Sequence, residues 1–172
     1  STPAEKDTGR GVAADIDPRH WGAEFWNSSS AELFDVAGKP IGPRPRQMNF
    51  AIWWDGDLLR ELLDKTTISK WDWENGKEIP LLSPEGLSSN NGTKATPALQ
   101  ADLIGDWREE VVWRSADNRE LRIYTTPYPT THRFVTLMQD PVYRLGVAWQ
   151  NTAYNQPPHT SFYLGAGKQG ER

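Results

Sequence analysis

Cysteine is absent from the 172 residues, which excludes disulfides, thiolate nucleophiles and zinc–thiolate sites, though it does not fix a compartment. Histidine is scarce. His20, His132 and His159 are scattered without zinc-site spacing, and a structural role is the simplest reading of each. No window approaches 18 consecutive apolar residues, so no helix is expected to span a membrane. Positive charge is not in excess: 19 Lys and Arg face 23 Asp and Glu, a formal net charge of -4. Non-specific attraction to nucleic acid is therefore not expected, and neither nucleic acid nor a membrane is an expected partner. Ser1 opens no signal-peptide pattern, although a mature or truncated chain would have lost one.

Tryptophan is abundant, at nine residues. Its large rigid face suits either packing between sheets or stacking on the C–H face of a sugar ring. The length suffices for one domain with a sizeable core.

Two segments say nearly the same thing. Trp54-Asp55-Gly56-Asp57-Leu58-Leu59-Arg60-Glu61-Leu62-Leu63 is echoed 49 residues later by Ile104-Gly105-Asp106-Trp107-Arg108-Glu109-Glu110-Val111-Val112-Trp113. A looser copy runs from Ala14-Asp15-Ile16-Asp17 to Gly22-Ala23-Glu24-Phe25-Trp26. A period of roughly 40–50 residues is that of a propeller blade. Carboxylates beside Gly, followed by apolar runs, suggest loops that hold hard cations between strands. The candidate clusters are Asp15, Asp17 and Glu24; Asp55, Asp57 and Glu61; and Asp102, Asp106 and Glu110. None has EF-hand spacing, and the bland alternative is turn Asp with exposed Glu. Arg60 and Arg108 could also pair with the neighbouring Glu residues instead.

Gly9 to Asp15 reads as a turn followed by a short strand, and further strands are expected at Gly22 to Trp26, Ala31 to Val36, Phe50 to Trp54 and Leu58 to Asp64. Thr67 to Trp73 alternates at period two and precedes Glu74-Asn75-Gly76-Lys77, a hairpin signal with Lys77 to Leu82 as the return strand. Ser83 to Pro97 reads as a long loop. Ala101 to Ile104, Glu110 to Arg114, Leu121 to Thr125 and Arg133 to Met138 read as the four strands of one complete blade, with a turn at Asp117-Asn118. Val142 to Gln150 would continue the sheet or form a short helix, and Ser161 to Gly165 would be a final strand. Ser1 to Thr8 reads as frayed. The sum is an all-β chain of three to four blades, and an isolated part-ring would leave edges unpaired. Asn27-Ser28-Ser29 and Asn91-Gly92-Thr93 fit the glycosylation sequon, a frequent chance match.

The repeats, with Ala14-Asp15-Ile16-Asp17-Pro18-Arg19 and Trp149-Gln150-Asn151-Thr152-Ala153-Tyr154-Asn155-Gln156-Pro157-Pro158-His159, resemble the family 11 polysaccharide lyases, the rhamnogalacturonan lyases. The resemblance runs from about Arg10 to Gly165. It implies an eight-bladed β-propeller of roughly 600 residues with several bound Ca²⁺ ions, a scale that fits the period. This chain would be the C-terminal portion, with the remaining blades supplied elsewhere or by a second chain. It further implies β-elimination at galacturonate in the rhamnogalacturonan I backbone of pectin, and a secreted or periplasmic location.

Within that resemblance, Arg10, Lys94 and Tyr154 match substrate-contacting positions and are the catalytic candidates. Asn155 and His159 are further substrate-binding candidates. Arg10 stands between two glycines and could clamp a uronate bidentately. Lys94, with its pKa lowered in a desolvated site, could serve as general base. Tyr154 could stack on a sugar, hydrogen-bond to it or protonate the leaving oxygen. Calcium at the acidic loops would shape a cationic trough for a uronic-acid polymer. Two other readings are a non-catalytic carbohydrate-binding propeller and a WD-repeat scaffold. The Asp-Gly-Asp loops argue against the second.

Overall fold

The computed structural model describes residues 8–152 and 155–166. The expectations for Ser1–Asp7 and for Tyr154 therefore lie outside the described residues. Twelve strands form three antiparallel four-stranded sheets. The first comprises β1 (Gly11–Ala14), β2 (Glu24–Asn27), β3 (Glu32–Phe34) and β4 (Pro40–Pro43), paired in sequence order. The second pairs β5 (Phe50–Ile52), β6 (Glu61–Asp64), β7 (Thr67–Asp72) and β8 (Lys77–Leu82) in the same order. In the third, β11 (Glu110–Ser115) pairs with β10 (Leu99–Ala101), β12 (Leu121–Tyr124) and the short β9 (Leu87–Ser88). A 3-10 turn at Leu137–Gln139 leads into one helix, α1 (Pro141–Trp149).

The core explains why these runs became strands. Val12, Ala14, Trp26 and Leu33 of the first sheet meet Ala51, Leu62 and Trp71 of the second. From the other face of the second sheet, Phe50, Ile52, Leu63 and Ile68 meet Val111 and Trp113 of the third. The middle sheet is thus buried on both faces, which accounts for unbroken apolar runs such as Phe50-Ala51-Ile52. The end sheets instead expose large apolar side chains: Phe25 beside β3's Phe34, and Leu121 and Ile123 on β12. Trp26, Trp53, Trp54, Trp71, Trp107 and Trp113 are buried, so packing claims most of the indoles; Trp21 and Trp149 are exposed.

The hairpin of β7 and β8 has the expected bounds to within one residue, since β7 ends at Asp72 and not Trp73, and Leu58 to Asp64 is strand from Glu61 onward. Two expected strands are not formed. At Arg133 to Met138 the backbone turns to side chains: the Leu137 amide and the Thr136 hydroxyl both donate to Asp102 Oδ2 at 2.8 Å. The fourth strand of that sheet is β9, from within the expected long loop. At Ser161 to Gly165, the Ser161 amide donates to Asp140 and the Ala166 amide to Asp15, while Leu164 fills the core under α1. Residues Asp102 to Ile104 lie past the end of β10. Val142 to Gln150 forms α1, started by Asp140, which accepts from the Val142 amide, with Pro141 at the first helical position.

Gly56 lies so close to the Pro129 carbonyl that a Cβ there would overlap it, and Thr130 Oγ1 donates to the Gly56 carbonyl at 2.7 Å. Gly56→Ala should therefore destabilise the protein by about 1–3 kcal/mol. Hydrogen exchange should show lost protection around residues 128–134; an unchanged melting temperature would contradict this packing.

Candidate functional site

The sequence repeat has a single structural cause. A glutamate opens the second strand of each sheet, is almost fully buried, and uses one oxygen to accept two backbone amides from the loop that follows the first strand. Glu24 Oε2 takes the amides of Ile16 and Asp17 at 2.9 and 3.1 Å. Glu61 Oε2 takes those of Trp54 and Asp55 at 2.9 and 3.2 Å. Glu110 Oε2 takes those of Leu103 and Ile104 at 2.8 and 3.1 Å. The residue before each of the last two caps reaches back one sheet: the Arg60 amide donates to the Asp15 carbonyl at 2.7 Å and the Glu109 amide to the Trp53 carbonyl at 2.8 Å. The acidic loops are therefore the joints between sheets.

What the second oxygen of each cap meets differs, and this tests the fit to calcium. In the second joint, Asp55, Asp57 and Glu61 bring three carboxylate oxygens within 4.8 Å of one another. The Lys70 ammonium sits among them, bound to Asp55 Oδ2, to Asp57 Oδ2 at 2.7 Å and to Glu61 Oε1 at 3.1 Å. Burial pulls the Lys70 pKa down, but the carboxylates outweigh it and hold it above its ordinary value. Burial pushes Glu61 up to about 8, against the pull of Lys70. In the third joint, protein donors serve every carboxylate. Thr125 donates to Glu110 Oε1 at 3.2 Å, Asp102 accepts from Gly105, Trp107, Thr136 and Leu137, and Asp106 pairs with Arg108. As they stand, the second and third joints leave neither oxygen of the cap without a protein donor among the described residues.

The first joint differs. Asp17 pairs with the exposed Arg19 at 2.6 Å, but Asp15 Oδ1 and Glu24 Oε1 are buried and accept from no donor among the described residues. Asp15 Oδ2 is bound by the Tyr163 hydroxyl at 2.6 Å and the Ala166 amide at 2.9 Å. Burial raises Asp15 to about 6, which those two donors only partly offset, and raises Glu24 to about 8, helped by the neighbouring Asp15 charge. Two acidic oxygens without donors suit a hard cation.

Arg60 does not pair with Glu61. It reaches Glu109 at 3.5 Å, stacks 4.2 Å over Trp53 and donates to the Ala51 carbonyl. Glu109 also receives Tyr143 Oη at 2.7 Å and Gln100 Nε2 at 2.9 Å, and Gln100 exchanges two bonds with Gln150 at the end of α1. Burial raises the Glu109 pKa despite the Arg60 charge. This buried network was not singled out from sequence; the adjacent pair Glu109-Glu110 was the available signal.

Arg10 and Lys94 lie at the other end of the strands. Arg10 precedes β1 and is half-buried, its guanidinium donating to the Asn49 carbonyl at 2.9 Å and to Asn49 Oδ1 at 3.3 Å. Asn49 donates to Asp64, and the next residue's amide, of Lys65, donates to the Ala95 carbonyl at 3.1 Å. Lys94 is half-buried on a loop that asparagines shape. Asn91 Oδ1 accepts the Lys94 and Ala95 amides at 2.6 and 3.1 Å, and Ala95 is held at φ 46°, a left-handed conformation that costs a non-glycine residue roughly 1–2 kcal/mol. Asn151 fastens the loop through Asn90, Thr96 and the Ala98 carbonyl at 2.9–3.0 Å.

Five residue steps through β1 separate Arg10 from Asp15, roughly 16 Å at the rise of a strand. His159 stands beside Arg60, its Nδ1 3.3 Å from Nη1. Since guanidinium only donates, Nδ1 is the acceptor. Burial and the Arg60 charge pull the His159 pKa down to about 4. Asn155 is buried and closes a turn onto the Thr152 carbonyl at 3.1 Å; with His159 and Trp149 it lines a groove of about 490 Å³ along α1.

The sequence profile of the C-terminal domain of rhamnogalacturonan lyase family 11 matches residues 1–171. The chain belongs to that family. It is 64% identical over 165 residues to rhamnogalacturonan endolyase YesW of Bacillus subtilis (strain 168), covering 95% of this chain and 26% of the relative. It is 56% identical over 180 residues to rhamnogalacturonan exolyase YesX of the same strain, covering 95% and 29%. The crystal structure of YesW superposes with a TM-score of 0.92 at 61% identity, and the Bacillus licheniformis rhamnogalacturonan lyase PL11 gives the same values; each match covers 98% of this chain and 29% of the other. The chain thus spans little more than a quarter of the length of these relatives.

The raised carboxyl groups of this family 11 domain fix a pH dependence. Asp15, from 3.8 to about 6, and Glu24, from 4.5 to about 8, hold protons in the folded state that the unfolded chain releases. In the absence of divalent cations, stability should fall as pH rises from about 4 to about 8. Denaturant midpoints across that range should decline, and Glu24→Gln should flatten the slope. A midpoint that rises over the same range would refute the assignment.

Proposed function

We propose that this domain supplies part of the reaction site of a lyase that cleaves rhamnosyl–galacturonate linkages of rhamnogalacturonan I by β-elimination. The observation that carries the reading is the strand end at which hydrogen bonds link Arg10 to Asn49, Asn49 to Asp64, and the adjoining Lys65 to the Lys94 loop. The reaction removes the proton on C5 of a galacturonate, α to its carboxylate, and expels the oxygen on C4, leaving a 4,5-unsaturated uronate. Arg10 binds the carboxylate and disperses the charge that develops on it. Its attachment to Asn49 fixes the guanidinium before substrate arrives. Lys94 accepts the C5 proton, a role typically worth 10² to 10⁴ in rate. Tyr154 hydrogen-bonds the leaving oxygen and returns a proton to it.

The three sheets form about three blades of an eight-bladed propeller in this reading. The exposed Phe25, stacked on the half-buried Phe34, and the exposed Leu121 and Ile123 on the outer faces support it, because further sheets stacked there would cover them. Those sheets come from the rest of the polypeptide or from a second chain, and the place of action is secreted or periplasmic. Calcium belongs at the first joint, held by Asp15 and Glu24, where it secures the scaffold at the end remote from Arg10.

In the intact protein, Lys94→Ala should lower the rate at which ultraviolet-absorbing unsaturated uronate appears by about 10²-fold or more, with calcium content unchanged. Arg10→Ala should both weaken binding of the pectic substrate and slow the reaction. Full activity in Lys94→Ala would overturn the assignment; bound substrate without unsaturated product in the unaltered protein would favour a carbohydrate-binding role.

A further inference from the structure

We propose that the Lys70 ammonium is the resident cation of the second joint, standing where a divalent ion would bind, and that its removal turns Asp55, Asp57 and Glu61 into a divalent-cation site. The inference rests on reading the joints as cation sites, and it concerns the joint that the comparison of the three sets apart.

The geometry is that of a ligand cage. Three carboxylates from one loop and the strand after it place an oxygen each within 4.8 Å of one another, a spread compatible with Ca²⁺–O distances of about 2.3–2.6 Å. The ammonium has three N–H donors and meets three carboxylates, one oxygen from each. A metal ion at bonding distance from the same oxygens would overlap Nζ, so the two cations exclude each other. Lys70 is held by both ends: its backbone is in β7, and its carboxylate partners are fixed by the loop, where Asp55 Oδ1 accepts the Asp57 amide at 2.9 Å and Asp57 Oδ1 the Leu59 amide at 2.8 Å.

Register shows why this joint differs. The pairing of Leu62 with Ser69 puts Lys70 across from Glu61. The pairing of Val111 with Tyr124 puts Thr125 across from Glu110, and that of Phe25 with Phe34 puts Asp35 across from Glu24. One position on the third strand therefore decides what meets the free oxygen of the cap: an ammonium, a hydroxyl, or no donor. Asp35 turns its carboxylate to the amides of Ala37 and Lys39 in its own turn. The second joint also opens to water, since the Asp57 side chain is 48% exposed. An entering ion can thus complete its shell with solvent.

The test counts calcium in the intact protein after exhaustive dialysis against low-calcium buffer and re-addition of CaCl₂. Lys70→Met should bind one more Ca²⁺ than the unaltered protein, with a dissociation constant on the order of 10⁻⁵ to 10⁻³ M. Its melting temperature should rise with calcium more steeply than that of the parent. Lys70→Arg retains a fixed cation and should gain none. An unchanged calcium count in Lys70→Met overturns the proposal. If that variant folds only with calcium present, the proposal stands; if it folds neither with nor without calcium while Lys70→Arg folds, the proposal fails. Glu24→Gln reads the first joint separately: loss of one Ca²⁺ there supports that assignment whatever Lys70→Met does, and no loss removes it without touching the second joint.

Discussion

A single interaction made three times organises this domain: one buried carboxylate oxygen accepts two backbone amides where the chain leaves the first strand of a sheet. Those amides have no strand partner, and leaving them buried and unpaired would cost a large part of the stability of a domain this size. The same glutamate opens the next strand, so capping the loop and setting the register of the hairpin are one event. Its neighbour then joins the previous sheet through the Arg60 and Glu109 amides, which makes the caps a condition for stacking as well. Burying the carboxylate raises a second requirement, a donor or cation for its other oxygen. What answers that requirement differs from joint to joint: Lys70 at the second, Thr125 at the third, and no donor among the described residues at the first, so three similar loops have three dissimilar chemistries.

Much of this was legible in the chain. The repeat and the Asp-Gly-Asp spacing located the joints, and the period-two run from Thr67 with Asn75-Gly76 located a hairpin to within one residue. The alignment of the repeats was less plain. By eye Arg60-Glu61 matches Arg108-Glu109, 48 residues on, but the caps are Glu61 and Glu110, 49 residues apart. In structural register Arg60 therefore corresponds to Glu109, and the two form an ion pair between adjacent sheets instead of a pair within each loop.

What sequence could not show is where a backbone finds its partners when they are remote. Arg133 to Met138 and Ser161 to Gly165 have the composition of strands, yet the Leu137 and Ser161 amides are committed to Asp102 and Asp140, and the amide of Ala166, just beyond the second segment, to Asp15, 151 residues away in the chain. Lys70 gave no motif at all. It sits in an alternating strand as one more polar residue, and only its register opposite Glu61 gives it a role. The Lys94 loop was recognised by its asparagines and by resemblance to the lyases, whereas its fastening to Asn151, 55 residues beyond Thr96, needed coordinates.

The strands also keep two kinds of work apart. The joints gather at one end and hold the sheets to each other, and Arg10 with the Lys94 loop occupies the opposite end. Evolution can therefore rewrite the loops at the Arg10 end, lengthening one or trimming another, while the skeleton beneath goes on standing unaltered.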